Sequence, residues 1–218
     1  MKEKQKLVYR TFLTGNANPD AELPLIIPLH FLGSNPDQIF KIFFQDFDYP
    51  ARIIAPFGPY KLTEQYSWFP ETIYTEGEEK QGKFVGELVV RFLDNVGLWI
   101  QDFPTIGKPI FLGLSQGGDM CFTLAAQHGD EFRLCMPIAG RLLTKEFYLK
   151  SDSGMIRIHH GLEDPVVPVA GMRTAAKRLL SAGFKVETRE YEGAGHEVPQ
   201  EMIDVIEKDI LSVISDKS

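Results

Sequence analysis

Short apolar runs alternate along the chain with longer segments in which apolar side chains recur every three or four positions. Residues 25–30 and 109–113 form compact, largely apolar runs, as in strands buried on both faces of a sheet. Residues 169–182 have the period of an amphipathic helix. This alternation predicts a mainly parallel sheet with helices on both faces, an α/β fold, in a single domain over residues 1–218.

The same pattern predicts where each element lies. The expected strands cover residues 8–13, 25–30, 52–55, 109–113, 133–138, 155–159 and 186–191. The expected helices cover residues 39–47, 84–100, 117–128, 169–182 and 200–214. The first strand is expected to pair antiparallel at an edge of the sheet. Residues 57–82 are rich in Gly, Pro, Glu and aromatic residues, and this composition predicts a long loop that borders the active site.

Composition narrows the classes of partner. The chain has 218 residues, a formal net charge of −7 and a pI near 5.3, so we expect no binding to the phosphate backbone of nucleic acids. Its apolar stretches are too short to span a bilayer and its first residues lack the apolar run of a signal peptide, which favours a cytoplasmic protein without stable membrane insertion. We expect Cys121 and Cys135 to be free buried thiols. The sequence does not decide between a monomer and a homodimer.

A Gly-x-Ser-x-Gly pentapeptide, Gly113-Leu114-Ser115-Gln116-Gly117, stands between a predicted strand and a predicted helix. In that context the serine occupies a sharp turn, and its flanking glycines allow the close backbone approach that the turn requires. The turn presents the Ser115 hydroxyl at a helix N-terminus, where backbone amides can stabilise an oxyanion. Ser115 is therefore the candidate nucleophile.

A serine needs a base, and the base needs a group that orients it. His196 lies in Gly193-Ala194-Gly195-His196-Glu197, after the predicted strand 186–191. Asp164 follows the predicted strand 155–159, and Pro165 restricts its turn, which favours it over Glu163 as the acid. The chain order of serine, acid and histidine is the order expected for a nucleophile turn of this kind.

The loop that begins at His30 follows the first buried strand and is expected to supply a second oxyanion donor, the Leu32 amide, beside the Gln116 amide. His30 is expected to order this loop rather than to take part in chemistry. His159 and His160 are neighbours on a strand and must face opposite sides of the sheet. The spacing of potential ligands indicates no metal site, and we expect no cofactor.

Three stretches resemble the phospholipase/carboxylesterase family of α/β-hydrolases, which includes the acyl-protein thioesterases. They are residues 113–118, 160–168 and 191–197. The resemblance implies an α/β-hydrolase fold, with Ser115, Asp164 and His196 as the catalytic triad. Trp68-Phe69 is similar to the family's aromatic pair beside the acyl site. Two positions depart from the family: Phe31 replaces a usual glycine, and Asp119 replaces a usual small residue.

These observations predict a serine hydrolase that cleaves carboxylic esters through an acyl-enzyme, with a small-molecule acyl ester or thioester, or a lysophospholipid, as substrate. We expect an acyl or aryl pocket lined by Phe31, Phe57, Tyr60, Trp68 and Phe69. Ordinary core packing is the alternative for these aromatic residues. Two other functions stay open: a non-catalytic binding module on the same scaffold, and a hydrolase that cleaves a small amide, a peptide or a lactone with the same triad.

Overall fold

The computed structural model describes residues 6–215, so the outer bounds predicted for the domain, 1 and 218, lie outside the described residues. The strands are β1 (Tyr9–Thr14), β2 (Leu25–Leu29), β3 (Ala51–Pro56), β4 (Tyr60–Leu62), β5 (Gln65–Ser67), β6 (Ile110–Leu114), β7 (Leu134–Ile138), β8 (Met155–Gly161) and β9 (Val186–Tyr191). The helices are α1 (Pro36–Phe44), α2 (Glu78–Asp102), α3 (Gln116–Gln127), α4 (Val169–Ser181) and α5 (Gln200–Ile214).

Seven of these strands form one sheet in the order β1-β3-β2-β6-β7-β8-β9. All neighbours pair in parallel except β1, which pairs antiparallel with β3 at the edge, as the sequence predicts. Strands β2, β3, β6 and β7 are buried along their whole length. The carboxyl ends of these parallel strands meet at one edge of the sheet, where α/β folds collect their functional groups.

Two apolar clusters cover the two faces of the sheet, because successive side chains of a strand point to opposite faces. On β2, Leu25 and Ile27 belong to one cluster, with α2, α3 and α4. Ile26 belongs to the other, with α1 and α5. The expectation of helices on both faces is confirmed. Within the described residues, no helix combines the length and apolar character needed to cross a membrane.

The prediction of one long loop over residues 57–82 is wrong in part. The segment contains the two-stranded hairpin β4-β5, a 3₁₀ helix (Glu71–Thr75) and the beginning of α2 at Glu78. Polar residues dominate 76–83, so the apolar period that defines α2 becomes visible only from Phe84 onward. Amphipathic period alone could not locate this exposed first turn of the helix.

Candidate active site

Ser115 occupies the turn between β6 and α3. Its backbone has φ +55° and ψ −110°, a conformation that non-glycine residues adopt at a cost of about 1–3 kcal/mol and that clusters at functional sites. The Ser115 amide donates to the Ile138 carbonyl at 2.8 Å, which secures the turn to β7. A Cβ on Gly117 would lie 2.2 Å from the Leu29 carbonyl oxygen, and one on Gly113 would lie 2.1 Å from the Gly117 carbonyl oxygen. Only glycine allows these contacts.

The three residues predicted as a triad come together at the carboxyl edge of the sheet. Nε2 of His196 lies 2.9 Å from Oγ of Ser115. Nδ1 of the same ring lies 2.7 Å from Oδ2 of Asp164. A carboxylate at Nδ1 favours the tautomer in which Nδ1 carries the proton, and this leaves Nε2 free to accept the hydroxyl proton of Ser115.

Asp164 is held as a carboxylate by its neighbours. Its Oδ1 accepts hydrogen bonds from the amides of Val166 and Val167, each at 2.8 Å. Burial raises the pKa of Asp164, but the hydrogen bond to His196 and the two amides outweigh burial, and the resulting pKa lies below the usual range. His160 of β8 contacts this loop: its Nε2 lies 2.7 Å from the Val167 carbonyl oxygen and 3.6 Å from Oδ2 of Asp164.

Gln116 is the first residue of α3, and the amides in the first turn of a helix have no acceptor within that helix. Its side chain ties the helix to the segment around Trp68. Oε1 accepts from the Trp68 amide at 2.9 Å, and Nε2 donates to Oγ of Ser67 at 3.0 Å and to the Tyr74 hydroxyl. Leu32 is 47% exposed and lines the cavity beside Ser115.

His30 orders the loop after β2, as expected from the sequence. Its Nδ1 donates to the Phe31 carbonyl at 2.8 Å, and its Nε2 accepts from the Gly58 amide at 2.9 Å. Trp68 Nε1 donates to the His30 carbonyl at 2.9 Å. Burial lowers the pKa of His30 to about 4, against a smaller opposing effect of the Phe31 carbonyl. With both ring nitrogens engaged, His30 is neutral near pH 7.

A cavity of about 490 Å³ opens at Ser115 and His196. Of the five aromatic residues predicted to line an acyl pocket, Phe31 does so. The residues that sequence reasoning missed come from α1 and from the ends of strands and loops, and no local pattern marks them: Ile42, Leu114, Val166, Glu197 and Val198. Apart from Ser115, His196 and Glu197, the cavity wall is apolar.

The other four aromatic residues lie away from the wall of this cavity, which corrects their predicted role. Trp68 and Phe69 are 0% and 2% exposed and belong to the core beneath the site. Trp68 packs edge-on against Phe92 of α2. Phe57 packs against Tyr66, with ring centroids 4.6 Å apart, and Tyr60 begins the hairpin β4-β5. Core packing, the alternative left open by the sequence, accounts for Trp68 and Phe69.

Asp119 has a structural partner that the sequence did not reveal. The buried carboxylate accepts from the Arg141 amide through Oδ1 and from Nη2 of the Arg141 guanidinium through Oδ2, both at 2.6 Å. Burial raises the pKa of Asp119, and Arg141 opposes that rise. A small residue here would leave Arg141 without this partner, so Asp119 and Arg141 form a unit beside the nucleophile turn.

The two adjacent histidines of β8 face opposite ways. His159 Nδ1 lies 2.8 Å from the Tyr191 hydroxyl, and its Nε2 lies 3.3 Å from Oδ2 of Asp209 on α5. His160 faces the Asp164 loop. Within residues 6–215, no group of three or more His, Cys, Asp or Glu side chains is arranged to hold a metal ion.

Comparison with known proteins agrees with this geometry. The phospholipase/carboxylesterase family model matches residues 16–214. The chain belongs to this family. It is an esterase-type α/β-hydrolase, and the resemblance expected from residues 113–118, 160–168 and 191–197 is confirmed.

Solved structures share the fold of this chain. Esterase PE8 has a TM-score of 0.80 at 20% identity, with 96% of this chain and 100% of that chain covered. The Bacillus cereus carboxylesterase has a TM-score of 0.77 at 12% identity, with 94% of each chain covered. SOBER1 of Arabidopsis thaliana has a TM-score of 0.70 at 22% identity, with 88% and 99% covered. None of the curated proteins compared with the sequence matches it.

Proposed function

We propose that the chain is a serine esterase in which Ser115 is the nucleophile, His196 the general base and Asp164 the acid that orients it. The observation that carries the proposal is the position of the His196 ring, with Nε2 2.9 Å from Oγ of Ser115 and Nδ1 2.7 Å from Asp164. These are hydrogen-bond distances, so proton transfer needs no rearrangement of the three side chains.

The reaction follows from these contacts. Oγ of Ser115 attacks the ester carbonyl carbon while Nε2 of His196 accepts the hydroxyl proton. The amides of Gln116 and Leu32 are the proposed donors to the oxyanion of the tetrahedral intermediate. Collapse releases the alcohol, which takes its proton from His196, and leaves an acyl-Ser115 ester. Water, activated by His196, then hydrolyses this ester and regenerates the enzyme.

The cavity favours substrates with an apolar acyl part. Its walls contribute Phe31, Leu32, Ile42, Val166 and Val198, and its volume is about 490 Å³. Burial of apolar surface contributes roughly 25 cal/mol per Å², so an alkyl or aryl acyl group would gain affinity here. Carboxylic esters, lysophospholipids among them, are the proposed substrate class, and thioesters are proposed beside them because they form the same acyl-enzyme.

Two further expectations belong to this proposal. The free, buried thiols of Cys121 and Cys135 are compatible with the cytoplasmic location predicted from the sequence. A homodimer also stays a prediction, and size-exclusion chromatography with light scattering would test it.

The test of the proposal is hydrolysis of p-nitrophenyl esters from acetyl to palmitoyl by the wild type and by Ser115→Ala. We expect the variant to fold normally and to lose activity by several orders of magnitude, because the nucleophile is removed. Ser181→Ala is the matched control, since Ser181 is an exposed serine at the end of α4. A fluorophosphonate probe should label the wild type and the control but not Ser115→Ala.

Two results would contradict the proposal. Equal activity in Ser115→Ala and the wild type would exclude Ser115 as nucleophile. A wild type that neither hydrolyses any ester nor reacts with the probe would support the non-catalytic scaffold instead. Probe labelling without ester hydrolysis would point to an amide or a lactone as the substrate.

A further inference from the structure

A second cavity, of about 730 Å³, lies against the loop that holds Asp164, since Val167 lines the cavity and its amide donates to Asp164 at 2.8 Å. Gly140 and Arg141, which follow β7, and Val167 and Pro168, which follow β8, line it. Val166, the residue before Val167, lines the first cavity, and β7 ends at Ile138, whose carbonyl accepts from the Ser115 amide. Val166 and Val167 therefore bring the two cavities together along the Asp164 loop, and the Gly140 backbone lies against Gly118 in the first turn of α3.

The charge of this second cavity differs from that of the whole chain. The chain carries a net charge of −7. Among the described residues that line the cavity, Arg141, Lys145 and Arg178 are cationic and Glu78 alone is acidic. Asp119 neutralises part of one cation through its contact with Arg141. A net positive rim next to the Asp164 loop of an acidic protein favours an anionic ligand.

Arg141 is held in a fixed position with part of its guanidinium available. Asp119 engages the Arg141 amide and Nη2, both at 2.6 Å. The Arg141 side chain is 40% exposed. Within the part of the chain that the structure describes, its Nε and Nη1 have no hydrogen-bond partner. A guanidinium fixed on one side can bind a carboxylate or phosphate with the other while losing little conformational freedom.

The two other cations contribute differently. Arg178 donates to the Thr144 carbonyl at 3.0 Å and lies 5.0 Å from the centroid of the Phe147 ring, so it contributes positive charge from a fixed position. Lys145 is exposed and, among residues 6–215, forms no hydrogen bond or ion pair. Its flexible ammonium group can approach a bound anion from the rim.

We infer that Arg141 and Lys145 form an anion subsite that binds a carboxylate or phosphate group on the alcohol part of the ester substrate. This inference rests on the proposed esterase function, because the apolar cavity takes the acyl part and leaves the basic cavity for the alcohol part. An ester with an apolar acyl group and an anionic alcohol would use both cavities, whereas a neutral ester would use one.

Three butanoate esters of matched length test this subsite at constant ionic strength. They are the monoesters of 1,3-propanediol, of 4-hydroxybutanoate and of 3-hydroxypropyl phosphate, which end in a hydroxyl, a carboxylate and a phosphate. Release of butanoic acid by pH-stat gives kcat/KM for each. We expect the wild type to prefer at least one anionic ester about tenfold, the effect of one charge-assisted contact. The preferred anion identifies the headgroup chemistry.

In the variants we measure the ratio of kcat/KM for an anionic ester to kcat/KM for the neutral ester. A general loss of folding or activity lowers both values equally and leaves this ratio unchanged. We expect Arg141→Gln and Lys145→Gln each to lower the ratio toward one. Lys185→Gln removes the same charge from an exposed lysine before β9, at the opposite end of the strand from the site, and should keep the wild-type ratio. Because Lys145 forms no bonds within the described fold, its variant stays interpretable if Arg141→Gln unfolds.

Binding without turnover separates this inference from the proposed function. Calorimetric titration of Ser115→Ala with the three esters gives dissociation constants whether or not any ester is hydrolysed. Tighter binding of an anionic ester, lost in Ser115→Ala/Lys145→Gln, supports the subsite even if the esterase proposal fails. A ratio at or below one in the wild type, or a preference that survives both substitutions, would overturn it.

Discussion

Ser115 and His196 are 81 positions apart in the sequence, yet Oγ of one lies 2.9 Å from Nε2 of the other. At this scale the residues next to each member of the triad predicted its role: two glycines around Ser115, a proline after Asp164, and glycines around His196. Glycine and proline at these positions are typical of a tight turn that holds a side chain at the end of a strand. Arg141 carried no comparable signal, because its role depends on a buried carboxylate in another element.

The pKa of His30 gives the first prediction at the residue scale. A folded pKa of about 4, below the unfolded value of 6.5, means that the unfolded chain takes up a proton first as the pH falls. The stabilisation present above pH 6.5 is therefore lost between pH 6.5 and 4, and His30 should account for about 2 kcal/mol of lost unfolding free energy between pH 7.5 and 5.

Urea unfolding of the wild type and His30→Gln at both pH values measures this loss. We expect the wild type to lose about 2 kcal/mol more than the variant over that interval. His159, whose pKa burial also lowers, stays in both proteins and cancels from the comparison. Equal losses in the two proteins would show that His30 does not titrate in this way.

At the scale of elements, the hairpin β4-β5 and the 3₁₀ helix that follows it contact the start of α3 and the loop after β2. Gln116 at the start of α3 joins Ser67, Trp68 and Tyr74 of this segment. Trp68 is thereby held between the His30 loop and α2, and its indole is fully buried. The segment positions the loop after β2, and of the five aromatic residues predicted for the cavity wall Phe31 alone lines it.

Trp68→Ala and Phe31→Ala should separate these two roles. Trp68→Ala removes a buried aromatic side chain and should lower the unfolding free energy by about 3–5 kcal/mol. Phe31→Ala removes a partly buried residue from the cavity wall, so we expect a smaller loss of stability and a shift of substrate preference to longer acyl chains. Urea unfolding and the p-nitrophenyl ester series measure both effects. An unchanged chain-length preference in Phe31→Ala, with circular dichroism showing that the variant is folded, would contradict the place of Phe31 on the cavity wall.

At the scale of the whole molecule, the sheet is covered on both faces and its central strands are inaccessible to water. Cys121 on α3 and Cys135 on β7 lie in this interior, and both are 0% exposed. Cys135 Sγ donates weakly to the Cys121 carbonyl at 3.5 Å. Burial raises the pKa of the Cys135 thiol well above its usual value, and the Cys121 thiol adds to that rise. Both effects suppress thiolate formation.

We therefore expect neither thiol to react with Ellman's reagent in the native protein. Both should react in 6 M guanidinium chloride without any added reductant, because they are free. The absorbance of the released thionitrobenzoate counts the thiols in each state. Rapid reaction of the native protein would contradict the packing of α3 against β7, and the absence of reaction after denaturation would indicate a disulfide.

The sequence by itself determined the alternation of strands and helices, the antiparallel first strand and the family, because these depend on local period and short motifs. It also singled out Ser115, Asp164 and His196, because each follows a strand in an interpretable turn. Tertiary structure decided what depends on packing between distant elements. It assigned Trp68 and Phe69 to the core, placed Phe31 and Ile42 on the cavity wall, and paired Asp119 with Arg141. The sequence around an aromatic or charged residue does not indicate which distant residues it will contact. Only the folded chain therefore distinguishes a core position from a cavity wall.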